Sequence, residues 1–180
     1  KKKNSSLRVA MEMVRRGDAQ GCVSAGSTGA IVAGGVLVVG RLPGIDRPAL
    51  GVPIPSIEKV SFMLDVGATV RCTPKNLLQF ALMGELYSRK IMNVASPEIK
   101  LLSNGTEEIK GDDTVLGARE LIEQNGKMNF GGYIEGNEVV WGHADVIVCD
   151  GFNGNIALKL GEGVMQGLKS LLADEVKKSF

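Results

Sequence analysis

The chain has 180 residues, 44% hydrophobic and 23% charged, enough apolar material for one core of ordinary size. A net charge of +1 with one Trp, two Tyr and five Phe offers no basic, aromatic surface for nucleic acid. Three scattered cysteines and a single histidine leave no zinc cluster or disulfide framework, and no apolar run reaches the roughly 18–20 residues of a membrane span.

In chain order, the basic start "KKKNSS" lacks the apolar region and cleavage site of a signal peptide. Ser5 or Ser6 begins a helix to Arg16, with Leu7, Met11 and Val14 at helical spacing and Gly17 at its end. "GCVSA" reads as a short strand. "STGAIVAGGVLVVG" then reads as a helix, apolar nearly all round and therefore buried. "RPALGVPIP" is extended and weakened by its prolines, and "KVSFMLD" is a buried strand ending at Asp65.

"CTPKNLLQFALMGELYSRK" is a helix with Thr73 as N-cap and Pro74 in the first turn. Leu77, Leu78, Ala81, Leu82 and Leu86 form its apolar face, and Arg89 and Lys90 sit at its negative end. "EIKLLS" is a strand, and "DDTVLGARELIEQNG" a helix with an Asn-Gly stop. "NFGGYIE" and "ADVIVCD" are strands, and "NIALKLGEGVMQGLKSLL" closes the order with Ile156, Leu160, Val164, Leu168 and Leu171 in line. Strands that alternate with helices and are apolar on both faces predict an open, mostly parallel α/β sheet with helices on both faces. Without repeats or linkers, residues 1–180 read as a single domain.

Ligands of such sheets bind outside the carboxyl ends of the strands. Four expected strands end in small, glycine-flanked segments: Ser24 to Gly29, Asp65 to Ala68, Ser103 to Glu108, and Asp150 to Asn155. Backbone N–H groups at helix starts suit an anion, with glycine allowing close approach. Ser24, Thr28, Asn153 and Asn155 add neutral donors, and Asn104 is a further candidate. Each loop alone is an ordinary turn or cap; four at one edge point to a site. Asp65 and Asp150 read equally as caps of the next turn or as carboxylates beside an anion. Lys110 and Lys159 are candidate counter-charges, although a lone lysine is commonly solvated.

Other chemistries lack their residues. "GCVSAGST" has the spacing of a P-loop, but Ser27 stands where the phosphate-binding lysine belongs. No GxGxxG follows a strand and GxSxG is absent. His143 precedes its strand, at the wrong end for a catalytic triad. Cys149 sits inside an apolar strand and reads as an inert core thiol.

The stretches "KKNSSLRVAMEMV", "CVSAGSTGA", "RPALGVPIP", "LDVGA", "LLQFALMG", "IKLLSNGTEEIKG" and "ADVIVCDGFNGNIALKLGEG" run through almost the whole chain. Together they resemble the bacterial phosphate acyltransferase of phospholipid synthesis, the PlsX family. Members of that family are longer, so the chain looks like their middle part. This chain has Ser27 and Thr69 where the family usually has Asn, and "SNGTEE" where it has "NIGEE".

The resemblance implies a fold similar to phosphate acetyltransferases and isocitrate-type dehydrogenases, a homodimer, and no metal or organic cofactor. It implies the reaction of long-chain acyl-[acyl-carrier protein] with inorganic phosphate to give acyl phosphate and free carrier protein. The setting implied is cytoplasmic, with peripheral contact at the inner face of the membrane, where a downstream acyltransferase uses the acyl phosphate. On this reading phosphate rests on the loops of Ser24, Gly26, Ser27, Thr28 and Gly29 and of Asn153, Gly154 and Asn155. Asp65, Asp150 and Lys159 are the catalytic candidates. The acidic carrier protein would land on Arg71, Lys75, Arg89 and Lys90. The alternatives are a short-chain enzyme using acyl-coenzyme A and a non-catalytic module for a phosphorylated ligand.

Overall fold

In the computed structural model, which describes residues 5–178, helix ends fall where a side chain or a glycine satisfies orphan backbone groups. Helix α1 (Ser6–Arg16) starts on the Ser5 hydroxyl and stops at Gly17, whose φ of 81° favours glycine. Helix α2 (Thr28–Gly34) is capped by Ser27 and passes directly into a π-helical turn, Gly35–Val39. Strands β1 (Gly51–Pro55) and β2 (Val60–Leu64) follow, then α3 (Pro74–Lys90), opened by a capping box of Thr73 and Asn76. Strand β3 (Ile99–Leu102) leads to α4 (Asp113–Asn125), capped by Asp112 and ended by Gly126. Strands β4 (Phe130–Ile134) and β5 (Val146–Val148) precede α5 (Gly151–Lys178).

The five strands form one sheet in the order β1-β2-β5-β3-β4. β1 pairs antiparallel with β2; the β2–β5, β5–β3 and β3–β4 pairs are parallel. Pro53 and Pro55 lack ladder donors, and they sit on the edge strand, where that loss matters least. One face packs Phe62, Leu64, Ile99, Leu101, Val146 and Val148 against Leu77, Phe80 and Ala81 of α3 and Ala118 and Ile122 of α4. Leu77 and Phe80 are almost wholly buried, each worth about 1.5–3 kcal/mol of transfer free energy. α3 approaches closely at Gly84, where a Cβ would run into Val146 and Leu64. The other face packs Met63, Ile147 and Cys149 beneath Val139 and the first turns of α5 at Ala157 and Leu158.

Several expectations are corrected. Cys22 to Ala25 form no strand: they are fully exposed, because the sheet closes without them and a lone strand has no ladder partner. The apolar helix after them is not buried either. No residue between 21 and 40 is buried, and Leu37 is 81% exposed. α1 covers only one side of it, with Met11 lying on Gly34. On α3 the buried stripe is Leu77, Phe80, Ala81, Gly84 and Ser88, while Leu82 and Leu86 face outward. The row Ile156, Leu160, Val164, Leu168 and Leu171 is in line on α5 but exposed along its length. Past its first turns, α5 has left the sheet.

Candidate active site

β2, β3 and β5 run parallel, so Leu64, Leu102 and Val148 end at one edge, and each chain there turns back toward a helix. Three polar segments therefore share this edge, not four. The peptide between Leu64 and Asp65 is cis. Asp65 is fully buried, and four backbone N–H groups converge on its carboxylate. Leu50, Gly67 and Ala68 donate to Oδ1 at 2.9, 3.1 and 2.9 Å, and Thr69 to Oδ2 at 2.6 Å. Gly67 adopts a φ of 139°, which the turn needs and which other residues resist. This nest does hold an anion, but the anion is the protein's own side chain.

The Asp65 turn is stitched to the start of α5. Asp65 N–H donates to the Cys149 carbonyl at 3.0 Å, and Gly151 N–H to the Thr69 carbonyl at 2.9 Å. Asn155 Nδ2 donates to the Val66 carbonyl at 3.1 Å. Gly154 lies against the Asp65 carbonyl so closely that no Cβ fits between them. At the helix start, Asp150 Oδ1 accepts from the N–H groups of Phe152 and Asn153 at 2.8 and 2.9 Å. Asp150 Oδ2 accepts from Asn153 Nδ2 at 2.6 Å, and Gly154 N–H goes to the Asp150 carbonyl at 3.0 Å. Both carboxylates thus serve as caps. The backbone donors of Asn153 and Gly154 expected for phosphate are taken by Asp150. The outward groups are the exposed Asn153 amide and Lys159, which is exposed and has no hydrogen bond or ion pair among the described residues.

The other half of the expected cradle lies elsewhere. Ser24 to Gly29 are exposed, and their hydrogen bonds are local: Gly26 N–H to Ser24 Oγ at 3.1 Å and Ala30 N–H to Ser27 Oγ at 3.4 Å. Among the described residues no hydrogen bond joins Ser24, Ser27, Thr28 or Gly29 to the Asp65 turn or to α5. Asn104 Oδ1 accepts from Gly111 N–H at 3.0 Å, which closes the loop after β3, and Lys110 packs its stem over Gly105. That loop is pinned to α4 by Glu108 on Arg119 at 2.8 Å. Arg119 also bonds Glu123 at 2.7 Å and lies 5.7 Å over the Tyr133 ring.

The four basic residues do not make one surface. Arg71 follows the Asp65 turn, and Lys75 pairs with Asp46 at 2.9 Å. Arg89, 3.5 Å from Glu85, and Lys90 lie at the far end of α3, about 20 Å away at 1.5 Å per residue and at the opposite edge of the sheet. His143, 3.6 Å from Glu138, is also remote from the strand ends.

Cysteines at this edge are protonated. Burial pushes the half-buried Cys72 thiol up to about 11, with Asp65 and Asp150 adding to the shift, while the Gly151 N–H and Arg47 oppose it. Burial raises Cys149 well above the usual range, with Asp150 and Asp65 adding to it. Neither offers a thiolate near neutral pH.

The sequence reading missed the strap before β1. Asp46 N–H donates to Gln79 Oε1 at 3.0 Å, and Gln79 Nε2 to the Gly44 carbonyl at 2.7 Å. The Pro48 carbonyl accepts from Thr69 Oγ1 at 3.3 Å, and Leu50 reaches Asp65. The strap brings Arg47 to the site edge. Its signal was the Arg-Pro step that opens "RPALGVPIP", a stretch read only as extended.

The chain is similar in fold to solved structures and in sequence to curated relatives. Two solved structures superpose with a TM-score of 0.69: a phosphotransacetylase from Streptococcus pyogenes, 22% identical, matching 88% of this chain and 55% of its own; and the EutD phosphotransacetylase from Staphylococcus aureus, 20% identical, matching 89% and 56%. At that identity the likeness is one of fold. A phosphate acyltransferase from Heliobacterium modesticaldum is 49% identical over 179 residues, 99% of this chain and 53% of its own. One from Geotalea daltonii is 45% identical over 180 residues, all of this chain and 52% of its own. The chain spans about half the length of these curated relatives. With the model of the fatty acid synthesis protein family matching residues 1–180, and the motifs in their expected order, the chain belongs to that family, the one in which the phosphate acyltransferases fall.

Proposed function

We propose that the full-length protein transfers a long-chain acyl group from acyl-[acyl-carrier protein] to inorganic phosphate. The observation that carries this reading is near 50% identity, along the whole chain, to relatives named phosphate acyltransferase. The site supports it in a negative and a positive way. Among the described residues the strand ends carry no nucleotide motif, and the Cys72 and Cys149 thiols there are raised in pKa, which fits an acceptor that is its own nucleophile. Phosphate near neutral pH is a dianion and meets that need. A phosphate oxygen attacks the thioester carbon, the C–O bond forms, and the C–S bond breaks to release the carrier thiolate, which takes a proton from water.

The protein's part is then positioning and oxyanion stabilisation. In this reading phosphate sits at the start of α5, against the Asn153 amide that Asp150 orients, with Lys159 nearly two turns further along the helix as counter-charge. Ser24 to Gly29 would be a separate donor loop. The acidic carrier protein approaches over Arg71 at the same edge, while Arg89 and Lys90 stand too far away to share that contact. The protein works as a homodimer in the cytoplasm, the exposed row on α5 supplying apolar surface for the seam. Its acyl phosphate passes to an acyltransferase at the inner face of the membrane.

The test is thiol release by the full-length protein from palmitoyl-carrier protein and, in parallel, from palmitoyl-coenzyme A, each with and without phosphate. Phosphate-dependent release from the carrier donor, with acyl hydroxamate trapped by hydroxylamine, is the expected result. Preference for the coenzyme A donor would mean the short-chain type of enzyme, and release without phosphate would mean a thioesterase.

A further inference from the structure

At the carboxyl edge of the sheet the carboxylates are answered and two guanidiniums are not. Asp65 is ringed by four backbone N–H groups, and Asp150 by those of Phe152 and Asn153. Lys75 pairs with Asp46, and Arg41 bonds the Asp46 carbonyl. The side chains of Arg47 and Arg71 are exposed and have neither a hydrogen bond nor an ion pair among the described residues.

Anchored backbone holds these two arginines together. Arg47 lies between Asp46, tied to α3 through Gln79 and Lys75, and Pro48, whose carbonyl takes the Thr69 hydroxyl. Arg71 lies midway between Thr69 and the Thr73 cap of α3. Cys72, next to Arg71, feels the Arg47 charge, which acts on its thiol against the effect of burial. Both residues therefore stand next to the Asp65 turn along the backbone, on the edge where α5 begins.

We propose that Arg47 and Arg71 form a paired guanidinium site for a phosphate group. A guanidinium presents parallel N–H donors that match two phosphate oxygens at once, and it stays charged at any working pH. The carboxylates of Asp65 and Asp150, which flank this turn, are taken up by backbone donors. The phosphate has two chemical sources in the acyltransfer reading, on which the choice of ligand rests. One is the inorganic phosphate acceptor; the other is the phosphodiester of a pantetheine thioester arm.

The test compares full-length wild type with Arg47→Ala, Arg71→Ala and their Lys counterparts, by calorimetric titration with inorganic phosphate and, separately, with phosphopantetheine. Steady-state acyl transfer and melting temperature are measured on the same samples. Each Ala variant is expected to bind one of the two probes about tenfold or more weakly, with an unchanged melting temperature and partial recovery in the Lys variant. The probe that is lost identifies the source. Equal binding by wild type and both Ala variants overturns the proposal. So does failure of the wild type to bind either probe, or a loss that follows a lowered melting temperature and is not recovered by Lys. Arginine-dependent binding by an enzyme without phosphate-dependent acyl transfer would refute the reaction and keep the site. Normal acyl transfer by the Ala variants would do the reverse.

Discussion

Asp65, one of the catalytic candidates, has its carboxylate oxygens occupied by backbone donors. Its carboxylate receives four N–H groups and meets no solvent, so its charge stabilises the turn that links β2 to α3. Asp65→Asn keeps the shape but turns an NH2 group toward at least one of those donors. The expected cost is about 2–3 kcal/mol, read as a lower urea midpoint. A midpoint equal to wild type would show that the nest does not depend on the charge. Gly154→Ala tests the neighbouring packing: its Cβ meets the Asp65 carbonyl, and a loss of about 1–3 kcal/mol is expected in the same measurement. The cysteines predict a pH dependence. Folded Cys72 holds its proton to about 11, and Cys149 is also raised, whereas an unfolded thiol loses its proton near 8.5. Above that value the unfolded state binds fewer protons than the folded one, so stability falls as pH rises from about 8.5 through about 11. Denaturant melts at pH 7, 9 and 10.5 check this; Cys72→Ser should reduce the alkaline loss.

At the scale of elements, capping chemistry was readable and burial was not. Gly17, Thr73, Pro74 and Gly126 act where the sequence put them, and Ser5 is the one of its two serine candidates that caps α1, because a cap is a local bargain between a side chain and the first or last turn. Burial depends on what covers an element. The apolar run after Thr28 and the row on α5 both look like core, yet α1 covers only one side of the first and the second is exposed along its length. The α5 row gives a prediction of its own. In the full-length protein, Leu160→Lys with Leu168→Lys should weaken the proposed dimer by about 100-fold or more, from the apolar transfer energy removed on each protomer. Sedimentation equilibrium reads this, and an unaltered dimer would move the seam off α5.

For the whole molecule, alternation of strands and helices sufficed to give a mostly parallel α/β sheet with its polar loops at one edge. It did not give strand order, nor that the Ser24 segment stands apart, because both are set by long-range pairing that local pattern does not encode. The strap carrying Arg47 was hidden for the same reason: its anchors, Gln79 and Thr69, are 33 and 21 residues from Asp46 and Pro48. The proposed function places acyl transfer to phosphate at the start of α5. Asn153→Ala in the full-length protein tests it most directly, because the Asp150 cap keeps its two backbone donors. The assay is phosphate-dependent acyl hydroxamate formation from palmitoyl-carrier protein, titrated with phosphate. The expected result is a fall in kcat/KM for phosphate of about 10- to 100-fold at an unchanged melting temperature. A variant as active as wild type at every phosphate concentration would contradict it.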